Sequence, residues 1–181
     1  MLTYQQAQQI LDAAESIYPA QTIAQTLQRL AADITKVLSQ QQPLVLCVMG
    51  GAVVFAGQLL PQLRFPLDFD YVHLTRYGNE LTGGEIRWRV EPRESVKDRV
   101  VLVLDDILDE GITLAAVRDN VLENGAKAFY SAVLTEKETG KSKPFQADFV
   151  GLTVPNRYVF GFGMDIHGAW RNLPAIYAVK D

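Results

Sequence analysis

The spacing of apolar and polar residues changes several times along the chain, and those changes divide it into elements. Thr3 is a cap-type residue, and Ala7, Ile10, Leu11, Ala14 and Ile17 recur at helical spacing, which predicts a first helix from Thr3 that ends before Pro19. The stripe Ile23, Leu27, Leu30, Ile34 and Val37 predicts a second helix, 20–41, with Gln and Lys on its outer face and a stop at Gln40–Gln42 and Pro43. Leu44–Met49 is apolar throughout, as in a buried strand, and runs through Gly50-Gly51 into AVVFAGQLLPQL, a helix broken near Pro61. Leu67–Thr75 reads as a strand with both faces partly apolar. Residues 76–84, RYGNELTGG, have no period, and beyond them Ile86, Trp88 and Val90 alternate with Arg87 and Arg89, so the pattern predicts a hairpin with a mobile loop. Val100–Leu104 is apolar at every position, the mark of a strand covered on both faces in a parallel sheet, and a helix follows it to Asn124 and stops at Gly125. Strands are predicted at Ala128–Leu134, Phe149–Val154 and Tyr158–Phe162, separated by a polar loop holding Gly140 and Pro144.

Strands alternating with helices in the middle of the chain indicate an α/β fold, an open, mainly parallel twisted sheet flanked by helices. A length of 181 residues with 48% hydrophobic composition fits a single domain with a substantial core. The formal net charge of -4 argues against nucleic acid as a partner, because neutralising phosphates needs a basic face. Cys47, inside LVLCVM, reads as a small core residue, with neither a disulfide framework nor a thiolate metal site. No leader pattern opens the chain and no apolar run approaches the roughly 18 residues of a membrane span, so the expectation is a soluble, cytoplasmic protein with no membrane partner.

The most chemically informative stretch is Val100–Leu114, VVLVLDDILDEGITL. Its strand ends on Asp105, Asp106 and Asp109, and Asp109–Thr113 supplies turn residues, Gly111, the Thr113 hydroxyl and the N–H groups of a starting helix, which together suit a phosphate. It is not a P-loop, which would carry Gly-Lys-Ser/Thr, and with one glycine it is not a dinucleotide fingerprint. Adjacent carboxylates at a strand end accept hydrogen bonds from a vicinal diol or hold metal-bound water, and a cup beyond them takes a monophosphate. A ribose 5-phosphate has both parts.

VLVLDDILDEGIT resembles the phosphoribosyl-pyrophosphate signature of type I phosphoribosyltransferases, and from Leu44 to about Arg171 the chain resembles the hypoxanthine-guanine phosphoribosyltransferases. The resemblance implies one phosphoribosyltransferase domain over 1–181, with its core at about 44–154 and a small purine-binding hood mainly from 155–175 plus the N-terminal helices. It implies purine salvage: transfer of the 5-phosphoribosyl group from phosphoribosyl pyrophosphate to a 6-oxopurine base, hypoxanthine or guanine, giving the purine nucleoside monophosphate and pyrophosphate, with Mg²⁺ as cofactor. It also implies a homodimer or homotetramer. A nucleotide-sensing regulator of the same fold that binds RNA or DNA is the alternative, but it needs a basic face or an added domain.

Residue by residue, the resemblance puts Asp105 and Asp106 on the ribose hydroxyls and Asp109, Glu110, Gly111, Ile112 and Thr113 around the 5-phosphate, with Asp109 also the general base for the purine proton. Glu110 stands where the family often has Ser or Thr and must point outward, and Ile112 stands where it sometimes has Lys. Met49-Gly50-Gly51 matches the pyrophosphate loop, with Met49 where many relatives carry Lys. Arg76 and Tyr77, with Gly78, match the loop that closes over the reacting centre, Arg76 replacing the common Ser. Lys137 falls where a lysine donates to the 6-oxo group of the base, Tyr158 where an aromatic ring stacks on it, and Val159 where the backbone binds it. Asp165, with Asp105 and Asp106, is implied for Mg²⁺, and Arg171 for pyrophosphate. The two histidines read as structural: His73 packing in its strand, His167 at a turn.

Overall fold

The computed structural model describes residues 2–77 and 85–180; nothing is described of the side chains of residues 76, 77 and 85. Two apolar strands form its centre, β2 (Leu44–Met49) and β5 (Val100–Leu108), paired in parallel from Leu44↔Val101 to Cys47↔Leu104. Because neighbouring strand residues point to opposite faces, their side chains divide between two cores. Val45, Cys47, Leu102 and Leu104 join one core with helices α2 (Ala20–Leu38) and α3 (Val53–Leu59). Leu44, Leu46, Val101 and Val103 join the other with α4 (Ile112–Glu123) through Leu114, Val117 and Val121. The continuous apolar runs of β2 and β5 are the consequence of that double coverage.

The main sheet has the order β4-β3-β2-β5-β6-β7, with β3 (Asp68–Tyr77), β4 (Glu85–Val90), β6 (Ala128–Lys137) and β7 (Phe149–Val154). All its neighbours are parallel except the β3–β4 hairpin, so the expected open, mainly parallel sheet is present. The loop expected at 76–84 begins later, since β3 runs on to Tyr77, and the rest of it, 78–84 with Gly78, lies outside the described residues. A second, three-stranded sheet of order β1-β9-β8 is antiparallel and is made from β1 (Glu15–Tyr18), β8 (Val159–Phe160) and β9 (Ile176–Ala178).

The termini depart most from the local pattern. Thr3 does cap α1 (Tyr4–Ala13) in a capping box, Gln6 N donating to Thr3 Oγ1 at 3.2 Å and Thr3 N to Gln6 Oε1 at 2.9 Å. The helix then ends at Ala13, not before Pro19, because Ala14 turns extended and the chain continues as β1, where Ser16 pairs with Tyr177 and Tyr18 with Ile176. Ile17 keeps the helical spacing but packs on the core from a strand. α2 buries the predicted stripe except Val37, which is exposed while Leu38 turns inward, and it shares one core with the main sheet and with Val159, Ile176 and Ala178 of the small one. Pro61 sits in a 3₁₀ turn, Leu60–Gln62, that closes α3. β5 and β6 run beyond the predicted Leu104 and Leu134, which brings Asp105, Asp106 and Lys137 into regular strand backbone. Among the described residues no helix is long and apolar enough to cross a membrane.

Candidate active site

The carboxyl ends of β2, β3 and β5 meet the N-terminus of α4 at a cleft of about 410 Å³. Its floor is Asp105 and Asp106, 7% and 9% exposed. Their carboxylates are fixed locally: Asp106 N donates to Asp105 Oδ1 at 2.9 Å and Ile107 N to Asp106 Oδ1 at 3.0 Å, while Thr135 Oγ1 on β6 holds the Asp106 carbonyl at 3.0 Å. Burial first, then the neighbouring Asp106 charge, holds the Asp105 carboxyl well above the usual carboxylate range. Burial raises Asp106 as well, against the hydrogen bond from Asp105 and the charge of Arg171. Two carboxyls short of positive charge suit hydroxyl donors or a cation.

One wall of the cleft is Met49-Gly50-Gly51, where β2 ends in a cis Met49–Gly50 peptide. A Cβ on Gly51 would overlap the Asp106 carboxylate, so glycine is what allows this loop to lie on the acidic pair. The opposite wall is Asp109, Glu110, Gly111 and Thr113. Gly111 takes a left-handed φ of 82° to start α4, and the first helical bond runs from Ala115 N to Gly111 O at 3.0 Å, so the amides before Ala115 lie outside the helix ladder, facing the loop. Glu110 is exposed but also lines the cleft, while Ile112 lines a neighbouring groove rather than the cleft.

Beside the cleft lies a recess of about 220 Å³ lined by Asp106, Ile107, Asp109, Lys137, Tyr158, Val159, Met164 and Asp165. Lys137, the last residue of β6, points into it with its side chain 14% exposed, and its Nζ donates to Asp109 Oδ2 at 2.7 Å. Tyr158 is half exposed and stacks on His167, with ring centroids 6.2 Å apart. Burial, then the Asp165 charge, raises its phenol.

The connection between β8 and β9 supplies the remaining groups. Arg171 lines the cleft, donates from Nη1 to Gly163 O at 2.6 Å and pairs through Nη2 with Asp165, whose other oxygen accepts from Gly168 N at 2.7 Å. Gly163, at φ 104°, packs directly on the carbonyl of Gly51. Gly163 and Met164 carry no local motif that marks them, and His73, read as packing within its strand, in fact lines the cleft, brought beside Met49 by the β2–β3 ladder, which no local pattern announces. The side chains of Arg76 and Tyr77 lie outside the described residues. Ile112, expected around the 5-phosphate, lines the neighbouring groove instead, and the other predicted site residues are gathered at the cleft and its recess.

A family model for the phosphoribosyl transferase domain matches residues 13–167. The hypoxanthine-guanine-xanthine phosphoribosyltransferase of Tritrichomonas foetus is 31% identical over 171 residues, 94% of this chain and 93% of that protein. The hypoxanthine-guanine phosphoribosyltransferase of Bacillus subtilis (strain 168) is 30% identical over 170 residues, 93% of this chain and 94% of that protein. A solved hypoxanthine phosphoribosyltransferase from Staphylococcus aureus superposes with a TM-score of 0.87 at 25% identity, covering 94% of each chain.

Proposed function

This chain belongs to the phosphoribosyl transferase domain family, and on that premise we propose that it is a purine-salvage enzyme that transfers the 5-phosphoribosyl group of phosphoribosyl pyrophosphate to hypoxanthine or guanine. The observation that carries the reading is the junction of two subsites. A polar cleft with an acidic floor and amide-bearing walls opens beside a recess holding a stacking ring, a lysine donor and a carboxylate. Sugar phosphate and flat base meet where the two join, near Asp106 and Asp109.

In this reading Asp105 and Asp106 accept from the ribose diol, and the amides of Gly111–Thr113 with the Thr113 hydroxyl hold the 5-phosphate. Lys137 donates to the 6-oxo group, Tyr158 stacks on the base and Val159 binds it through backbone groups. A ring nitrogen of the base attacks the anomeric carbon; the new C–N bond forms as the C–O bond to pyrophosphate breaks with its electron pair, and the nitrogen's proton passes to Asp109. Arg171 and the amides of the Gly50-Gly51 loop receive the charge that develops on the leaving group. Mg²⁺ is the proposed cofactor, with Asp165, Asp105 and Asp106 to hold it. Their hard oxygens suit an ion that takes one or two carboxylates and completes its shell with water and phosphate oxygens, although among the described residues no three His, Cys, Asp or Glu side chains make a cage of their own. When bound, it offsets pyrophosphate charge.

Lys137 supports 6-oxopurines over adenine, whose 6-amino group would leave the buried donor facing hydrogens. The relatives carry enzyme names, and a net charge of -4 gives no support to the RNA- or DNA-binding regulator. A cytoplasmic location fits a highly charged substrate that does not cross membranes, and the homodimer or homotetramer implied by the family is checked by sedimentation. The deciding assay offers protein, Mg²⁺ and phosphoribosyl pyrophosphate with hypoxanthine, guanine, xanthine, adenine or uracil separately and follows pyrophosphate release. Release with hypoxanthine or guanine, and little with adenine or uracil, is expected; silence with every 6-oxopurine refutes the proposal.

A further inference from the structure

Lys143 lies in the loop between β6 and β7, and none of the roles above involves it. Its side chain is only 10% exposed, and its ammonium is fully engaged: Nζ donates to Lys137 O at 2.7 Å, to Glu136 Oε1 at 3.1 Å and to Leu108 O at 3.2 Å. An ammonium taken out of water requires such a set of acceptors, so its position is dictated by them. The acceptors sit where the site needs support. The β5–β6 ladder has its last register pair at Leu108↔Glu136, one residue short of both Asp109 and Lys137. Lys143 bonds the two strand ends at the point where backbone pairing stops. The same loop covers the phosphate turn, since a Cβ on Gly111 would lie 3.3 Å from Phe145 Cβ and 3.5 Å from Lys143 Cβ.

We propose that Lys143 is a positioning residue for base recognition: by tying Leu108 to Lys137 it fixes the spacing of the Asp109 carboxylate and the Lys137 ammonium that face the purine. The proposal rests on the assigned function, and it makes a distinction that simple stabilisation of the loop does not. Loss of a mere loop support lowers thermal stability and leaves the affinity for the base unchanged. Loss of a strut between the two base-facing groups weakens the base selectively.

The test compares wild type with Lys143→Met, which keeps the apolar stem and removes the donors, and with Glu136→Gln, which keeps the ammonium and its two carbonyls but removes the charged partner. Lys143→Met is expected to raise KM for hypoxanthine and guanine by about tenfold or more and to move KM for phosphoribosyl pyrophosphate by less than about twofold; Glu136→Gln shifts the base KM in the same direction by less. NMR of ¹⁵N-lysine-labelled protein without substrates gives a second reading: the Lys137 Nζ resonance, set by its bond to Asp109, shifts or broadens in Lys143→Met. Equal changes in both KM values, or an unchanged base KM with an unmoved Lys137 resonance, overturn the proposal. If Lys143→Met does not fold, an unchanged base KM in Glu136→Gln overturns it. A wild-type protein inactive with every 6-oxopurine refutes the assigned function instead, and the resonance then decides whether the strut exists.

Discussion

Replacing Gly163 with alanine probes how the β8–β9 connection is seated on the cleft. Two costs are legible in the structure. Gly163 has φ 104°, where an L side chain is strained by about 1–3 kcal/mol. The added Cβ would also lie 3.2 Å from the carbonyl carbon of Gly51 and closer still to its oxygen, an overlap with backbone that costs about 1–3 kcal/mol. Together they destabilise by about 2–6 kcal/mol, a fall in Tm of about 4–24 °C for a chain of this size. Part of the overlap is relieved by moving the Gly51 loop, which lies on the Asp106 carboxylate, so KM for phosphoribosyl pyrophosphate rises too. Gly161→Ala is the control: at φ 97° its Cβ would meet the Ala175 carbonyl, within the small sheet and away from the Gly51 loop. Differential scanning calorimetry and steady-state kinetics on both variants separate the two effects. A similar loss of Tm in both, with the higher KM only in Gly163→Ala, is expected. If Gly163→Ala melts within about 2 °C of wild type with its kinetics unchanged, the contact between hood and loop is not a constraint.

Other expectations follow from the same geometry. Asp105 has a folded-state carboxyl raised by burial and by Asp106, so its contribution to stability is lost as pH rises from the unfolded value of about 3.9 through the folded one. Asp105→Asn therefore melts higher than wild type at pH 7 in the absence of ligand, loses that advantage near pH 4, and binds phosphoribosyl pyrophosphate more weakly; a variant less stable than wild type at pH 7 contradicts this. Asp109→Asn is expected to lower kcat by about 10²–10⁴-fold with phosphoribosyl pyrophosphate binding still measurable by calorimetry; equal turnover would remove Asp109 from the base role. Cys47 is 1% exposed, and burial, then the charges of Asp105 and Asp106, pushes its thiol up to about 12. Iodoacetamide at pH 8 should leave the folded protein unlabelled and label it only on unfolding, whereas rapid labelling of folded protein would show that the β2 interior is open.

The sequence alone determined the central sheet and which residues its edge presents. β2 and the Val100–Leu104 run of β5 are apolar on every residue because each is covered on both faces, and that cause is written in the residues themselves. The acidic pair, the Gly-Gly loop and the turn into α4 were legible because each lies within a few residues of a strand end, where short-range backbone geometry decides what is presented. What the sequence left open depends on partners far along the chain. Residues Glu15–Tyr18 continue a helical period but become a strand because β9, some 160 residues later, offers an edge to pair with. Ladder pairing likewise carried β5 and β6 past their apolar runs, placing Asp105, Asp106 and Lys137 on regular backbone. Gly163 meets Gly51, Lys143 meets Leu108, and His73 reaches the cleft only once the small sheet and the strand ends have closed around it. Local propensity fixes elements whose covering is uniform; where two edges compete for a segment, the tertiary contacts that bury more surface and satisfy more backbone groups decide.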